Sequence, residues 1–429
     1  MTIEATIKAF AREQREGLLV GIAGPERLHG PPSVDPSYTL RGARSIVSIA
    51  VPMHVPAIYD FLSKRSPVPH NVDQARGNQE VFRICERIAQ LLGDRGHRAK
   101  AAPVNSDYRP SLDTIAFHPA FSHRYGALMT GIAGQGWSGN VVTREYGAAV
   151  FLGTVVTRAK LRSDPAMGPQ EIHDERCSKC KLCEKSCPVA MFERDREERF
   201  LLGGALYPRG RRKNIDLCTA SCFGMHGLSR DKRWTSWGAE WIDEWVEGVP
   251  EPENRAAVRR LFLRQVFRAG DSGMRVTLIQ RTTERRVADD TLDVLPPVDR
   301  LPEDRAARAR IQRRFASAMG LAELRNPNIL TCGQCCLVCG PTLEERARRH
   351  RMLTEGGLVV PNEEGDMVRA TSFEQARKIR QNRRRPTREQ RSRDGRFLAR
   401  YTGHYFGLDL SSEARGLLYR LAQRRALRS

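Results

Sequence analysis

The sequence predicts an α+β protein with three parts: an α/β layer over residues 1–165, a cysteine-bearing module over 166–345, and a basic, partly helical extension over 346–429. Three observations carry this. Short β-branched runs bounded by Gly or Pro alternate with a helix-patterned segment in the first part. Ten of the eleven cysteines fall in three tight groups after residue 176. Arginine gathers towards the C-terminus, in "RKIRQNRRRPTREQRSRDGRFLARY". A chain of 429 residues also exceeds the size at which one core keeps growing, so two or three units are expected.

The chain begins "MTIEATIKAFAREQREGLLVGIAG", with acidic residues early and no basic start followed by a long apolar stretch, unlike a secretory leader. There is no twin-arginine start and no run of eighteen apolar residues, so a cytoplasmic protein without a membrane span is expected. "ARSIVSIAVP" (43–52) and "GAAVFLGTVVT" (147–157) read as buried strands. Between them, "EVFRICERIAQLL" repeats Val81, Ile84, Cys85, Ile88 and Leu91 at helix spacing, which makes Cys85 a packing residue. From Ser122 to Gly147 the glycines 126, 131, 134, 136, 139 and 147 mark a backbone that turns tightly or approaches a ligand closely. This stretch is neither G-x-G-x-x-G nor a phosphate loop.

Thiols grouped this closely suit a metal better than cystines. "CSKCKLCEKSCP" places Cys177, Cys180, Cys183 and Cys187 in the C-x2-C-x2-C-x3-C-P spacing of a [4Fe–4S] ligand run, in which the fourth cysteine serves the other cluster of a pair. "CGQCCLVCGP" supplies Cys332, Cys335 and Cys339 as the second half, with Gly340 between the last cysteine and Pro341. The missing ligand comes from "LCTASC": Cys218 is preferred because "KNIDLC" reads as an extended approach, with Cys222 as the alternative. The crossed rule then predicts a first cage of Cys177, Cys180, Cys183 and Cys339, and a second of Cys187, Cys218, Cys332 and Cys335. Zinc also takes four thiolates, but the third in-step cysteine and the proline favour iron–sulfur. Cys336 is left over. The cysteine-free insertion 223–331 is read as a helical cover, with Trp234, Trp237, Trp241 and Trp245 at helix spacing and a second amphipathic helix over 254–270.

The order of parts resembles the corrinoid-dependent iron–sulfur reductases, epoxyqueuosine reductase and the reductive dehalogenases. "AGQGWSGN" (133–140) is similar to the family pattern AGLGWIGKN, and "TREYGAAVFLGTVVT" (143–157) to (T/S)-x-x-(Y/F)-G-x-x-x-x-L-G. The likeness covers about residues 40–225 and 330–342. It implies a nitroreductase-like core holding cobalamin, fused to a ferredoxin-like two-cluster module. It also implies that Gly134, Gly136 and Gly139 lie against the corrin, that Trp137 packs on it or plugs the site, and that Asn140 stands where the family has Lys. The family's proton-donating aspartate falls on Ala120, and "HPAFSHRYGAL" offers His118, His123, Arg124 and Tyr125 instead. Tyr108, beside Asp107 and Arg109, and Tyr125, beside Arg124, are candidate proton donors in the manner of the dehalogenases, since a cation nearby stabilises the phenolate.

The expected activity is reduction of a small organic substrate, with electrons passing from an external ferredoxin- or flavodoxin-type donor through two [4Fe–4S] clusters to cobalamin. The alternatives are tRNA epoxyqueuosine reduction and a cobalamin-free electron carrier. A net charge of +21 agrees with tRNA as a partner, although basic charge alone is weak evidence for it.

Overall fold

The computed structural model describes residues 2–103, 119–165, 176–213, 215–222, 224, 226–241, 295–318 and 332–382. Helix α1 (Ile3–Gln14) starts where the Thr2 hydroxyl accepts from the Ala5 amide, and it buries Ile7 and Ala11. The chain continues through β1 (Leu19–Ala23), β2 (Ser45–Pro52), α2 (Val55–Leu62), α3 (Val68–Gly93) and β3 (Ala99–Ala101). Helix α4 (His123–Met129) and the short hairpin of β4 (Gly134–Gln135) and β5 (Val141–Val142) lead into β6 (Val150–Thr157). The main sheet has the order β1-β2-β6-β3, with every neighbouring pair antiparallel.

Both strands expected from sequence are central in this sheet, which explains their nearly unbroken apolar character. Alternation sends Val47, Ile49 and Val51 of β2 into one core with α1, α2 and α3, while Ile46 joins Phe121, Ala127 and Leu128 on the α4 face. Each such side chain contributes roughly 1.5–3 kcal/mol of burial. Helix α3 buries Val81, Ile84, Cys85 and Ile88, as the spacing predicts, and Cys85 packs where β6 has Gly153.

Downstream lie α5 (Leu182–Lys185), the hairpin β7 (Phe192–Leu202) and β8 (Ala205–Arg212), α6 (Ile215–Cys222), α7 (Arg305–Ala318), α8 (Gln334–Leu337) and α9 (Leu343–Glu355). Arg308 ties α7 to Asp60 of α2 at 2.7 Å. The described extension ends in β9 (Leu358–Pro361), β10 (Met367–Ala370) and α10 (Phe373–Gln381).

Two local expectations are corrected. Trp234, Trp237 and Trp241 lie in an irregular segment, not a helix, joined by a bridge between Leu228 and Thr235. Their spacing comes from docking instead. The Trp237 indole donates to Phe61 O, Thr235 exchanges hydrogen bonds with Val359, and Trp241 stacks on Phe373 with the Arg380 guanidinium over its ring. Cys218 lies on helix α6, not on an extended approach. Trp245, the 254–270 helix and the tail beyond residue 382 lie outside the described residues, as does Tyr108 with Asp107, Arg109 and His118.

Candidate functional site

The 133–149 stretch is where the α/β layer meets the cysteine segments. Gly147 has φ +66°, and a Cβ there would stand 2.2 Å from Cys339 O, so only glycine fits this approach. The adjacent Ala148 amide donates to Cys339 O at 2.8 Å, and the leftover Cys336 thiol donates to Ala148 O at 2.9 Å. On the other side of the turn, the Gly210 amide of β8 donates to Trp137 O, and Arg212 donates to Ser138 O at 2.9 Å. A Cβ on Gly210 would meet the Trp137 ring at 2.7 Å, and one on Gly139 would meet Arg212.

One small cavity is lined by Cys177, Cys180, Cys183 and Cys339, together with Gly136, Trp137 and Arg346. These are the four thiols predicted for the first cage, brought together from sequence positions more than 150 apart. The Trp137 amide donates to Cys177 Sγ at 3.3 Å, and its indole donates to Glu184 at 3.1 Å. The loop carries Lys179 and Lys181 at φ 49° and 56°, left-handed conformations that cost about 1–2 kcal/mol each and that bring consecutive cysteines to the same cavity. Arg346, buried on α9, clamps the two halves. It donates to Gly340 O at 2.7 Å and Pro341 O on one side, and to Arg176 O and Ser178 on the other. Sequence reasoning missed Arg346, because an arginine in "EERARRH" carries no sign of being buried.

Beside it, Cys187, Cys218, Cys332 and Cys335 lie within electrostatic reach of one another. The Met191 amide donates to Cys187 Sγ and the Asn140 amide to Cys335 Sγ, each at 3.4 Å. Cys222 hydrogen-bonds with both Cys218 and Cys332. Arg212 and Arg124 add positive charge near Cys218 and Cys335. The Cys335–Cys183 interaction connects the two groups.

Burial pushes these thiols up: Cys335 to about 11 and Cys339 to about 12, with Cys183 raised further by Cys339, Cys335, Cys177 and Cys180. Cys332 is lowered to about 6, chiefly by its hydrogen bond with Cys222. Buried sulfurs that raise one another's pKa suit a cationic guest, since a coordinated thiol gives up its proton outright. Among the described residues, no three His, Cys, Asp or Glu side chains close on a point as a single metal ion requires. Both groups of four fit a larger cluster by donor chemistry, and the first also by the cavity its four cysteines line.

The corrin-floor role expected for Gly134, Gly136 and Gly139 gains no support from these contacts. Gly136 faces Asn140 O and Val142, Gly139 faces Arg212, and the β4–β5 turn is spent on the cysteine module. Trp137 likewise lines the first cage. On α4, His123 bonds through both ring nitrogens, to Thr154 Oγ1 at 2.9 Å and Pro103 O at 3.2 Å, and desolvation lowers it to about 4. Arg124 is exposed and reaches towards the second group of thiols. Tyr125 packs on Phe200 of β7 at 5.3 Å. Successive helical residues do not face each other, so Arg124 and Tyr125 point to different neighbours. Ala120 is buried.

No family model matches the chain. It is 27% identical over 184 residues to an epoxyqueuosine reductase of Gloeobacter violaceus, covering 40% of this chain and 49% of that one. It is 37% identical over 60 residues to the Synechocystis enzyme of the same name, covering 13% of this chain and 19% of that one. Over these stretches the chain is similar in sequence to epoxyqueuosine reductases. These matches span less than half the length of the relatives. Among solved structures, the Streptococcus thermophilus epoxyqueuosine reductase aligns at TM-score 0.31 and 18% identity, over 48% of this chain and 56% of its own. A catabolic reductive dehalogenase aligns at TM-score 0.36 and 14% identity, over 50% and 28%. An epoxyqueuosine reductase with a modified tRNA stem loop aligns at 0.32 and 14%, over 82% and 98%. Among the described residues, no helix is long and apolar enough to cross a membrane.

Proposed function

We propose that the chain is an iron–sulfur reductase that holds two [4Fe–4S] clusters and passes electrons through them to reduce an organic substrate. The single observation that supports this best is the cavity shared by Cys177, Cys180, Cys183 and Cys339. In this reading Cys187, Cys218, Cys332 and Cys335 hold the second cluster, and the Cys183–Cys335 approach makes the pair an electron relay. The chain's own residues exclude water from the sulfurs, orient them through main-chain donors, and close the first cage with Arg346. A corrinoid, when bound, supplies the reducing centre; that part of the proposal rests on family resemblance alone. Tyr125 or Tyr108 supplies the proton. Arg124 contributes positive charge, and His123 stays neutral and anchors α4 to β6.

Anaerobic reconstitution tests the proposal. Purified protein carries about eight irons, four per cluster. Absorbance with and without hydroxocobalamin then decides the corrinoid. Protein with full iron that never retains corrinoid narrows the proposal to an electron carrier. Protein whose metal is all zinc ends it.

A second reading, tRNA epoxyqueuosine reduction, is favoured by the net charge of +21 and by the basic helix α10, where Arg377 and Lys378 are exposed. The alanine at the family's aspartate position opposes it. Complementation of a strain that accumulates the epoxide precursor separates the two readings.

A further inference from the structure

On the face of the main sheet opposite α4, a cleft of about 650 Å³ opens between the end of α1, the end of β2 and the middle of α3, bordered by the short turn Val298–Arg300. Its size lies within the range of about 300–1,000 Å³ usual for small-molecule sites. The floor is apolar: Val51, Met53, Ile84 and Phe151 line it, and all four are buried. Helix α3 comes so close to β6 here that a Cβ on Gly77 would stand 2.2 Å from the Phe151 ring. The wall above is charged. Asp73, Arg76, Glu80, Arg83 and Arg87 follow one another along α3 in steps of three and four, which puts all five on one face, and all five line the cleft. With Arg15 from the end of α1 and Asp299 from the turn, the lining has four arginines against three acids. A helix face that is merely solvated has no such buried floor beneath it.

The contacts in the cleft order its cations more than they neutralise them. Arg87 donates to the neutral Gln14 at 2.9 Å, and Arg76 donates to Leu295 O at 2.8 Å. Arg15 and Glu80 stand 3.6 Å apart with both side chains more than a third exposed, an ion pair worth little. The Asp73 carboxylate accepts from the His54 amide at 2.9 Å, and burial raises its pKa to about 7, so it carries only part of a charge at neutral pH. His54 also lines the cleft, and its Nδ1 is buried without a hydrogen-bond partner among the described residues, a costly state that a bound polar group would relieve. The geometry points to a binding site for a small organic anion, its carboxylate or phosphate group set against the arginines of α3, its apolar body laid over Phe151 and Met53, and a polar atom within reach of His54. The sheet separates this cleft from His123 and Tyr125, which belong to the α4 face, and the inference does not depend on the two-cluster reading.

The full chain, reconstituted anaerobically, is titrated by calorimetry with phenyl phosphate, benzoate and benzyl alcohol, three probes that share a ring and differ in charge. One or both anions are expected to bind at one site per chain with a Kd of about 1 mM or tighter, and benzyl alcohol about tenfold more weakly or worse. The tighter of the two anions identifies the anionic group as phosphate or carboxylate. Arg87→Glu reverses an exposed charge on the wall, and Val298→Trp fills the cleft from a half-buried position on the turn. Each is expected to weaken the better anion by about tenfold or more. Arg377→Glu makes the same charge change on the exposed face of α10 and is expected to leave the affinity within about twofold. Absence of binding by both anions overturns the inference. Equal weakening by Arg87→Glu and Arg377→Glu overturns it too, because the anions then follow only the overall charge of the chain. Benzyl alcohol bound as tightly as the anions leaves an apolar cleft with no part for the arginines, and that result also overturns it.

Discussion

Around the first cage, the groups that hold the sulfurs are mostly backbone. The Trp137 amide reaches Cys177, Ala148 pins the Cys339 carbonyl, and one buried arginine fastens residues 176–178 to 340–341. Around the second, the Met191, Gly333 and Gln334 amides are joined by side chains: Asn140, Cys222, Arg212 and Arg124 all approach sulfur or its surroundings. Backbone contacts fix geometry and leave little room to vary by substitution. Side-chain contacts can be changed without remaking the loop. If the two groups hold clusters as proposed, the contrast predicts that the first is sensitive in assembly and the second in electron affinity, and each half can be attacked separately.

The largest effect is expected from Cys339→Ser. It removes a ligand from the first cage alone, so reconstituted protein loses about four irons and keeps the other four. Equal loss from both clusters, or no loss, would break the crossed assignment. Arg346→Met comes next. Its guanidinium serves carbonyls on both segments, and charged hydrogen bonds are worth about 1.5–3 kcal/mol apiece, so a loss of about 3 kcal/mol or more is expected, seen as a lower denaturation midpoint. Arg346→Lys is expected to rescue little, because one ammonium cannot span the fork. If iron is counted as well, the first cluster is lost before the second.

Much of this was legible in the sequence, for specific reasons. The grouping of cysteines was readable because ligand spacing is imposed by the size of a cluster: Cys177, Cys180, Cys183 and Cys339 line one cavity, and Cys187, Cys218, Cys332 and Cys335 lie near one another, with Cys222 beside them. The strands over 43–52 and 147–157 and the α3 stripe through Val81, Ile84, Cys85 and Ile88 were readable because buried central strands and long helices carry strong periodicity. The tryptophans misled because spacing of three to four also arises when an irregular segment inserts rings successively, here into Phe61 O and against Phe373. Arg346 and the β7–β8 hairpin over Trp137 left no local signal, since their partners lie far away in sequence. Gly147 was visible as a glycine, but its reason, the carbonyl of Cys339, was not.

Gly147→Ala should therefore act on the first cage from the α/β side. Its φ of +66° costs a non-glycine about 1–2 kcal/mol, and the 2.2 Å approach to Cys339 O forces the Cys339 turn to shift. Reduced iron in the first cluster, with the sheet intact by circular dichroism, is the expected result. A comparable test of the α/β layer, at α4, uses pH. His123 is held neutral in the fold with its pKa lowered to about 4, against an ordinary value of 6.5, so the unfolded chain binds the extra proton first. Stability is complete above pH 6.5 and falls as pH drops towards 4, by at most about 3 kcal/mol. Amide exchange in α4 is expected to quicken in that window, and His123→Gln should flatten the slope.

The smallest expected effect sharpens the comparison most. Asn140 is buried, its amide is steered by Ser138 Oγ at 3.1 Å, and it donates to Cys335 Sγ. Asn140→Ala removes one neutral donor, worth about 1 kcal/mol, or some 40 mV for a one-electron couple if the bond is felt mainly in the reduced state. The second cluster's midpoint should fall by about that much while the first stays fixed. Asn140→Lys places a cation at the same sulfur and should move the second midpoint the other way. If Asn140→Ala shifts the first midpoint instead, the donors belong to the other cluster and the division between assembly and tuning is reversed. If neither substitution moves either midpoint, side-chain donors do not set the potential, and the two cages differ in architecture alone.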